Sequence, residues 1–174
     1  MFDQNMLKNL MGKAYANALK SPDTSSQNGA VMCKRQPDGH LDIVANGYNH
    51  FYKGVPGEVD NREQKLKEIE HAERDCIYAS AARGVQTKGS ILICPWVACY
   101  DCARGIIGSE VSAVVYHKQR NDLTDARWLS NVNEALGWLQ ESGVYLFEFD
   151  GPVPGTKPIL VSGKLWSPGS CTYV

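Results

Sequence analysis

A three-layer α/β architecture is what the pattern of this 174-residue chain points to. Three observations carry that expectation: an opening amphipathic helix, a hairpin of two short apolar strands, and strands that then alternate with helices. Over residues 5–20, Leu7, Leu10, Met11, Ala14, Tyr15 and Ala18 recur at helical spacing and define one apolar face. The polar stretch 21–28 follows as a loop. Residues 29–34 and 41–48 read as strands around Gln36-Pro37-Asp38-Gly39, where Pro-Asp-Gly is a turn signal, so they make a hairpin.

Residues 49–60 are rich in Gly, Pro and aromatics and are expected to be an irregular loop, and 61–70 is too charged for core. A helix is expected from near residue 70 to 83, with Ala72, Cys76, Ala79 and Ala82 inward and Gly84 as terminator. Residues 90–94 form a buried strand, 99–108 a helix and 111–116 another strand. Helical spacing returns over 127–141 through Trp128, Val132, Ala135, Leu136 and Leu139, and 144–149 is a last strand. From residue 150 Pro and Gly dominate, yet Ile159, Leu160, Leu165 and Trp166 want burial. The organisation expected is one domain over 1–149, with a tail over 150–174 packed on it or on a neighbouring subunit.

Composition narrows the function. Apolar residues at 43% and charged residues at 21% suit a soluble globular chain with a real core. Eighteen Lys plus Arg against nineteen Asp plus Glu leave a net charge of −1, without the basic excess of a protein that coats nucleic acid or anionic membrane. No apolar run approaches the roughly 20 residues of a membrane span, and the N-terminal residues lack the order of a signal peptide. The expectation is a cytoplasmic protein with neither nucleic-acid nor membrane partners.

Six cysteines stand at Cys33, Cys76, Cys94, Cys99, Cys102 and Cys171. In this setting they read as buried thiols or metal ligands rather than disulfides. Cys33 and Cys76 sit on apolar faces, and Cys94 ends a buried strand, so all three read as packing. Cys99 and Cys102 are three apart on a first helical turn, which puts both sulfurs on one side. A helix N-terminus carries partial positive charge and favours the thiolate that binds metal.

His71-Ala72-Glu73 opens the preceding helix, and the twenty-five residues between Glu73 and Cys99 suffice for a helix, a turn and a strand. That half crossover brings two helix N-termini side by side. His71 supplies a third ligand for zinc while no fourth presents itself, which is the form of a catalytic rather than a closed structural site. Glu73 is then placed as the carboxylate that takes a proton from an activated water and delivers it to substrate.

His-x-Glu followed by Cys-x-x-Cys is the signature of the zinc nucleobase deaminases. With Ser26-Gln27-Asn28-Gly29-Ala30-Val31, Asn46-Gly47-Tyr48-Asn49 and the stretch from Cys94 to Arg104, residues 5–149 resemble the cytidine deaminase superfamily, and within it the deoxycytidylate (dCMP) deaminases. One departure is Ala98 where the family usually has Pro before the first cysteine; it bears on the pocket wall, not on the ligands. The resemblance implies a cytidine deaminase-like fold, with a central mixed five-stranded sheet flanked by helices. It implies His71, Cys99 and Cys102 as zinc ligands and Glu73 as proton shuttle. Water adds to C4 of cytosine, N3 is protonated and ammonia leaves. It further implies Asn49 as a nucleoside contact, and the backbones of Ala72 and Ala98 as readers of the base edge.

For a 5′-phosphate, Lys118 and Arg120 follow the fourth strand at the rim of the site; the alternative for that segment is a solvated loop. The resemblance also implies a homohexamer activated by dCTP and inhibited by dTTP with Mg2+, with His50, Phe51 and Lys53 in the irregular segment where such an effector site would form. Two other readings stay open: a deaminase of dCTP, cytidine or a polynucleotide, and a non-catalytic zinc module closed by Cys94 or Cys171. Trp128 and Trp138 read as core and helix packing, against a stacking channel for a polymer.

Overall fold

A computed structural model describes residues 2–57 and 59–174; Met1 and Glu58, the latter within the loop expected over 49–60, lie outside the described residues. In chain order the elements begin with α1 (Gln4–Ala18), β1 (Gly29–Arg35), β2 (Leu41–Tyr48), α2 (Arg62–Glu68), α3 (Ala72–Ala82), β3 (Ile91–Ile93) and α4 (Tyr100–Gly108). They continue with β4 (Ala113–His117), α5 (Lys118–Asn121), α6 (Ala126–Glu141), β5 (Tyr145–Phe149), β6 (Ile159–Val161), β7 (Lys164–Ser167) and β8 (Thr172–Tyr173). The main sheet has five strands in the order β2-β1-β3-β4-β5. The β1–β2 and β1–β3 pairs are antiparallel and the β3–β4 and β4–β5 pairs parallel, so the sheet is the mixed one expected.

The central strands β1, β3 and β4 are apolar on both faces because both faces are covered, whereas the edge strands β2 and β5 are partly exposed. Val31, Cys33, Ile91, Ile93, Ala113 and Val115 pack against the predicted stripe of α1, all six members of which are buried. On the other face Ala30, Met32, Leu92 and Val114 meet Cys76 of α3, Ile106 of α4, and Ala135 and Leu139 of α6. Each residue belongs to the face that a period of two assigns it.

Two glycines set how closely the helices approach. A Cβ on Gly29 would lie 2.2 Å from the Ala14 carbonyl oxygen, and one on Gly47 would lie 2.3 Å from the Ala72 oxygen and 2.7 Å from the Cys76 nitrogen. Those are closer than carbon and backbone can stand, so only glycine lets α1 and the start of α3 rest directly on β1 and β2.

Four expectations are corrected. The segment 61–70 is not merely a charged surface: Asn61 caps α2 by accepting the Gln64 N–H at 3.1 Å, and Lys65 is buried on Asp23 at 3.0 Å. Ala82 is exposed, and α3 buries Glu73 and Ser80 with Ala72 and Cys76 instead. Trp138 is exposed and stacks on Tyr100, with ring centroids 4.9 Å apart, and Trp128 lines a cavity; neither is core.

The tail forms its own antiparallel sheet, β6-β7-β8, and packs onto the α1 face through Val153, Ile159, Val161 and Trp166. His117, at the end of β4, ties these layers together. Its Nδ1 accepts the Tyr15 hydroxyl at 2.5 Å, and its Nε2–H donates to the Gly151 carbonyl at 2.8 Å, since a carbonyl can only accept. Among the described residues no helix is long and apolar enough to cross a membrane.

Candidate active site

The site is built where α3 and α4 begin. His71 and Cys99 occupy their N-cap positions with extended backbones (φ −92°, ψ 149° and φ −83°, ψ 170°). Neither side chain caps its own helix, although a cap is the usual work of a side chain there. Both are thereby free to converge: His71 Nδ1 is 3.4 Å from Cys99 Sγ and 3.4 Å from Cys102 Sγ, and the two sulfurs are 3.4 Å apart. Among the described residues these three are the group placed to hold a metal ion.

A tetrahedral zinc with Zn–S of about 2.3 Å and Zn–N of about 2.0 Å spaces its ligands by roughly 3.5–3.8 Å. The triangle fits that ion after a few tenths of an ångström of expansion. Two sulfurs and one imidazole are also the soft and borderline donors that zinc prefers over magnesium or calcium.

The electrostatics favour a cation at this point. Hydrogen bonding from Cys102 and His71 pulls the Cys99 thiol down to about 3, while burial pushes Cys102 well above its ordinary value. Burial works against a charged His71, but the Cys99 thiolate outweighs it and the imidazole pKa is raised. Arg74, which the sequence reading passed over, faces the same sulfurs. Its Nη1 stands 3.9 Å from Cys102 Sγ, and its Nε donates at 2.6 Å to Glu70, whose Oε1 also accepts the His71 N–H at 2.9 Å. A Glu-His-x-x-Arg run at a helix start was the signal available for it.

Beside the triangle lies a cavity of about 330 Å³, within the size of small-molecule sites. Glu73, Ala72, Ala98, Asn49 and Arg120 all line it, with His71 and Cys99. Glu73 is 2% exposed, and burial raises its carboxyl pKa to about 7. Asn49 has its carboxamide committed to the protein: Oδ1 accepts the Asn28 N–H at 2.7 Å, and Nδ2 donates to the Ser26 carbonyl at 2.9 Å. Pro95, Trp96 and Val97 precede Ala98, and Trp96 and Val97 join it in the cavity wall.

The phosphate candidates separate. Lys118 does not line the cavity; it is half exposed and paired with Asp122 at 2.5 Å. Arg120 lies within the wall rather than at a rim, 1% exposed, with its guanidinium 4.6 Å from the centre of the Trp96 ring. Its Nε and Nη1 are buried without a hydrogen-bond partner among the described residues, and burial lowers its pKa to about 10.

His50, Phe51 and Lys53 lie outside the cavity lining. The His50 ring packs between Tyr48 and Tyr52 with Nε2 3.1 Å from Asp75, Phe51 covers Gly57, and Lys53 is exposed. Cys94 is buried among core residues and Cys171 sits on the tail, so neither closes the metal triangle.

Fold and site together define a three-layer α/β protein with a His-Cys-Cys metal pocket and a buried glutamate beside it. The family model of the cytidine and deoxycytidylate deaminase zinc-binding region matches residues 4–118, and the chain belongs to that family. It is 30% identical over 126 residues to an uncharacterised deaminase encoded in the luxG 3′ region of Aliivibrio fischeri, covering 71% of this chain and 80% of that one. The dCMP deaminase of cyanophage S-TIM5, solved in apo form and with dCMP and dUMP, superposes with a TM-score of 0.66 at 21% and 20% identity. The apo match spans 84% of this chain and 99% of the phage enzyme. A Thermotoga maritima diaminohydroxyphosphoribosylaminopyrimidine deaminase/reductase follows at a TM-score of 0.59 and 23% identity, covering 84% of this chain and 37% of that one. These likenesses establish the shared fold.

Proposed function

We propose that the protein is a zinc-dependent hydrolase that converts dCMP to dUMP and ammonia. His71, Cys99 and Cys102 would hold the zinc, which supplies an activated water at neutral pH. Glu73, buried with its pKa raised to about 7, is poised to take up a proton at that pH and hand it to N3 of the ring. The carboxylate then takes the remaining proton from the new hydroxyl at C4 and passes it to the amino group, so that the C4–N bond breaks, ammonia leaves and the C4 carbonyl forms. The backbones of Ala72 and Ala98 and the side chain of Asn49 border the space a pyrimidine would fill.

The observation that carries the nucleotide, rather than the nucleoside, is Arg120. A guanidinium 1% exposed with two nitrogens, Nε and Nη1, unpartnered among the described residues is costly to bury, and a substrate phosphate entering the same cavity would supply the missing anion. The cyanophage enzyme of like fold has been solved with dCMP and dUMP, which supports the same reading. The product suits a route to thymidylate. Control by dCTP and dTTP with Mg2+, and a hexameric assembly, are proposed on family resemblance; sigmoidal dCMP kinetics made hyperbolic by dCTP are the expected result.

The test is the loss of cytosine absorbance on zinc-loaded protein with dCMP, deoxycytidine and dCTP. The expected result is a kcat/KM for dCMP about 10- to 100-fold above deoxycytidine, from one charge-assisted phosphate contact. Equal rates would overturn the phosphate assignment. Faster turnover of dCTP would place its further phosphates near Arg62 and Arg127, which line the same cavity.

A further inference from the structure

Asn28, the residue before β1, lines the cavity and is 6% exposed. Every polar group it has is committed except one. Its main chain is doubly paired with Asn49, donating to Asn49 Oδ1 at 2.7 Å and accepting the Asn49 N–H at 3.1 Å. Its Nδ2 donates to the Trp96 carbonyl at 2.9 Å and to Cys94 Sγ at 3.3 Å. Because a carbonyl accepts only, these contacts fix which end of the carboxamide is nitrogen. Its Oδ1 is left buried with no hydrogen-bond partner among the described residues. An unpaired buried acceptor is costly and calls for a donor to complete it.

The surroundings say which donor. On one side Asn28 touches Cys94, which packs in one cluster with Ala72 and Ala98 of the cavity wall beside Glu73, so it stands toward the reacting end of the cavity. On the other it holds the backbone of Trp96, whose indole carries Arg120. Trp96 is itself fixed, since its Nε1–H donates to Thr124 Oγ1 at 2.9 Å. In a nucleotide, the part between the reacting base and the phosphate is the sugar. Its hydrogen-bond donors are hydroxyl groups, and the deoxyribose of dCMP has one, at 3′. We infer that Asn28 is a specificity residue whose Oδ1 accepts a hydrogen bond from the sugar 3′-hydroxyl of the substrate. This rests on the nucleotide deaminase reading above and adds a sugar contact to those proposed there.

The experiment compares dCMP with 2′,3′-dideoxy-CMP on zinc-loaded wild type and Asn28→Leu. Wild type should lose about 10-fold or more in kcat/KM when the hydroxyl is missing, because the acceptor is then left unpaired. Asn28→Leu should turn over both nucleotides at the same reduced kcat/KM. Calorimetry with dUMP and dideoxy-UMP reads the same contact without turnover. Should the variant fail to fold, the wild-type comparison decides alone: equal kcat/KM and equal affinity with and without the hydroxyl overturn the inference. If no cytosine compound is turned over, the deaminase reading falls; a preference for dUMP over dideoxy-UMP would still uphold the hydroxyl contact, and none would overturn it.

Discussion

Arg74 places Nη1 3.9 Å from Cys102 Sγ while its Nε is held at 2.6 Å by Glu70. One guanidinium thus joins a buried sulfur to the carboxylate that fixes the main chain of His71. Outer partners of metal ligands commonly contribute 10- to 100-fold in affinity or activity. Arg74→Gln should therefore lose zinc to a chromogenic chelator at about 10-fold lower chelator concentration than wild type. Unchanged competition would leave Arg74 as an ion-pair partner of Glu70 and Asp101 with no part in holding the metal.

Arg120 has an opposite signature in stability and in binding. Arg120→Met removes a buried charge that has no counter-ion among the described residues, so the ligand-free variant should be more stable by about 1–3 kcal/mol in urea unfolding. Its KM for dCMP should rise about 10- to 100-fold, while deoxycytidine kinetics stay within two-fold. A variant that is destabilised, with KM unmoved, would make Arg120 a structural stack on Trp96.

Gly47 sets the height of α3 over the sheet. A Cβ there would fall 2.3 Å from the Ala72 oxygen, one residue from His71. Gly47→Ala should cost about 2 kcal/mol or more in thermal unfolding and weaken zinc retention, since α3 must lift with its ligand. An unchanged melting temperature with zinc intact would show that the close approach positions nothing.

His117 gives stability a dependence on pH. Burial lowers its pKa below the ordinary value of about 6.5, so the unfolded chain takes the proton first. Stability is full above pH ~6.5 and falls as pH drops through the folded value. Zinc-free Glu73 works the other way: with its pKa raised to about 7, its contribution is full below the unfolded value of about 4.5 and is lost as pH rises through 7. The comparison must therefore be between wild type and His117→Gln. The variant should be less stable at pH 7.5 by about 1–3 kcal/mol, from two buried hydrogen bonds, and the gap should narrow by pH 5.5. A gap constant with pH would contradict the assignment.

What could be read ahead of the structure followed local periodicity. The α1 stripe and the buried strand over 90–94 are short-range patterns, and the structure places them as expected. So are His71-x-Glu73 and Cys99-x-x-Cys102, which the fold brings into one site. His and Cys at N-caps break the local preference for Ser, Thr, Asp or Asn, and such breaks concentrate where a site is built.

Partners distant in sequence hid the rest. Lys65 looked like solvated charge because its partner Asp23 is 42 positions away. Lys118 and Arg120 looked equivalent, and only the packing of α5 against Trp96 buries one and leaves the other with Asp122. Asn28 and Asn49 differ likewise in which carboxamide the protein has already satisfied.

The most direct measurement pairs dCMP turnover with zinc content in wild type and Glu73→Gln. The account predicts about one zinc per chain in both proteins, and turnover reduced by about 10²- to 10⁴-fold in the variant, as expected for loss of a general acid–base group. Wild-type turnover in Glu73→Gln, or no turnover by fully zinc-loaded wild type, would contradict it and leave the metal as a brace between α3 and α4.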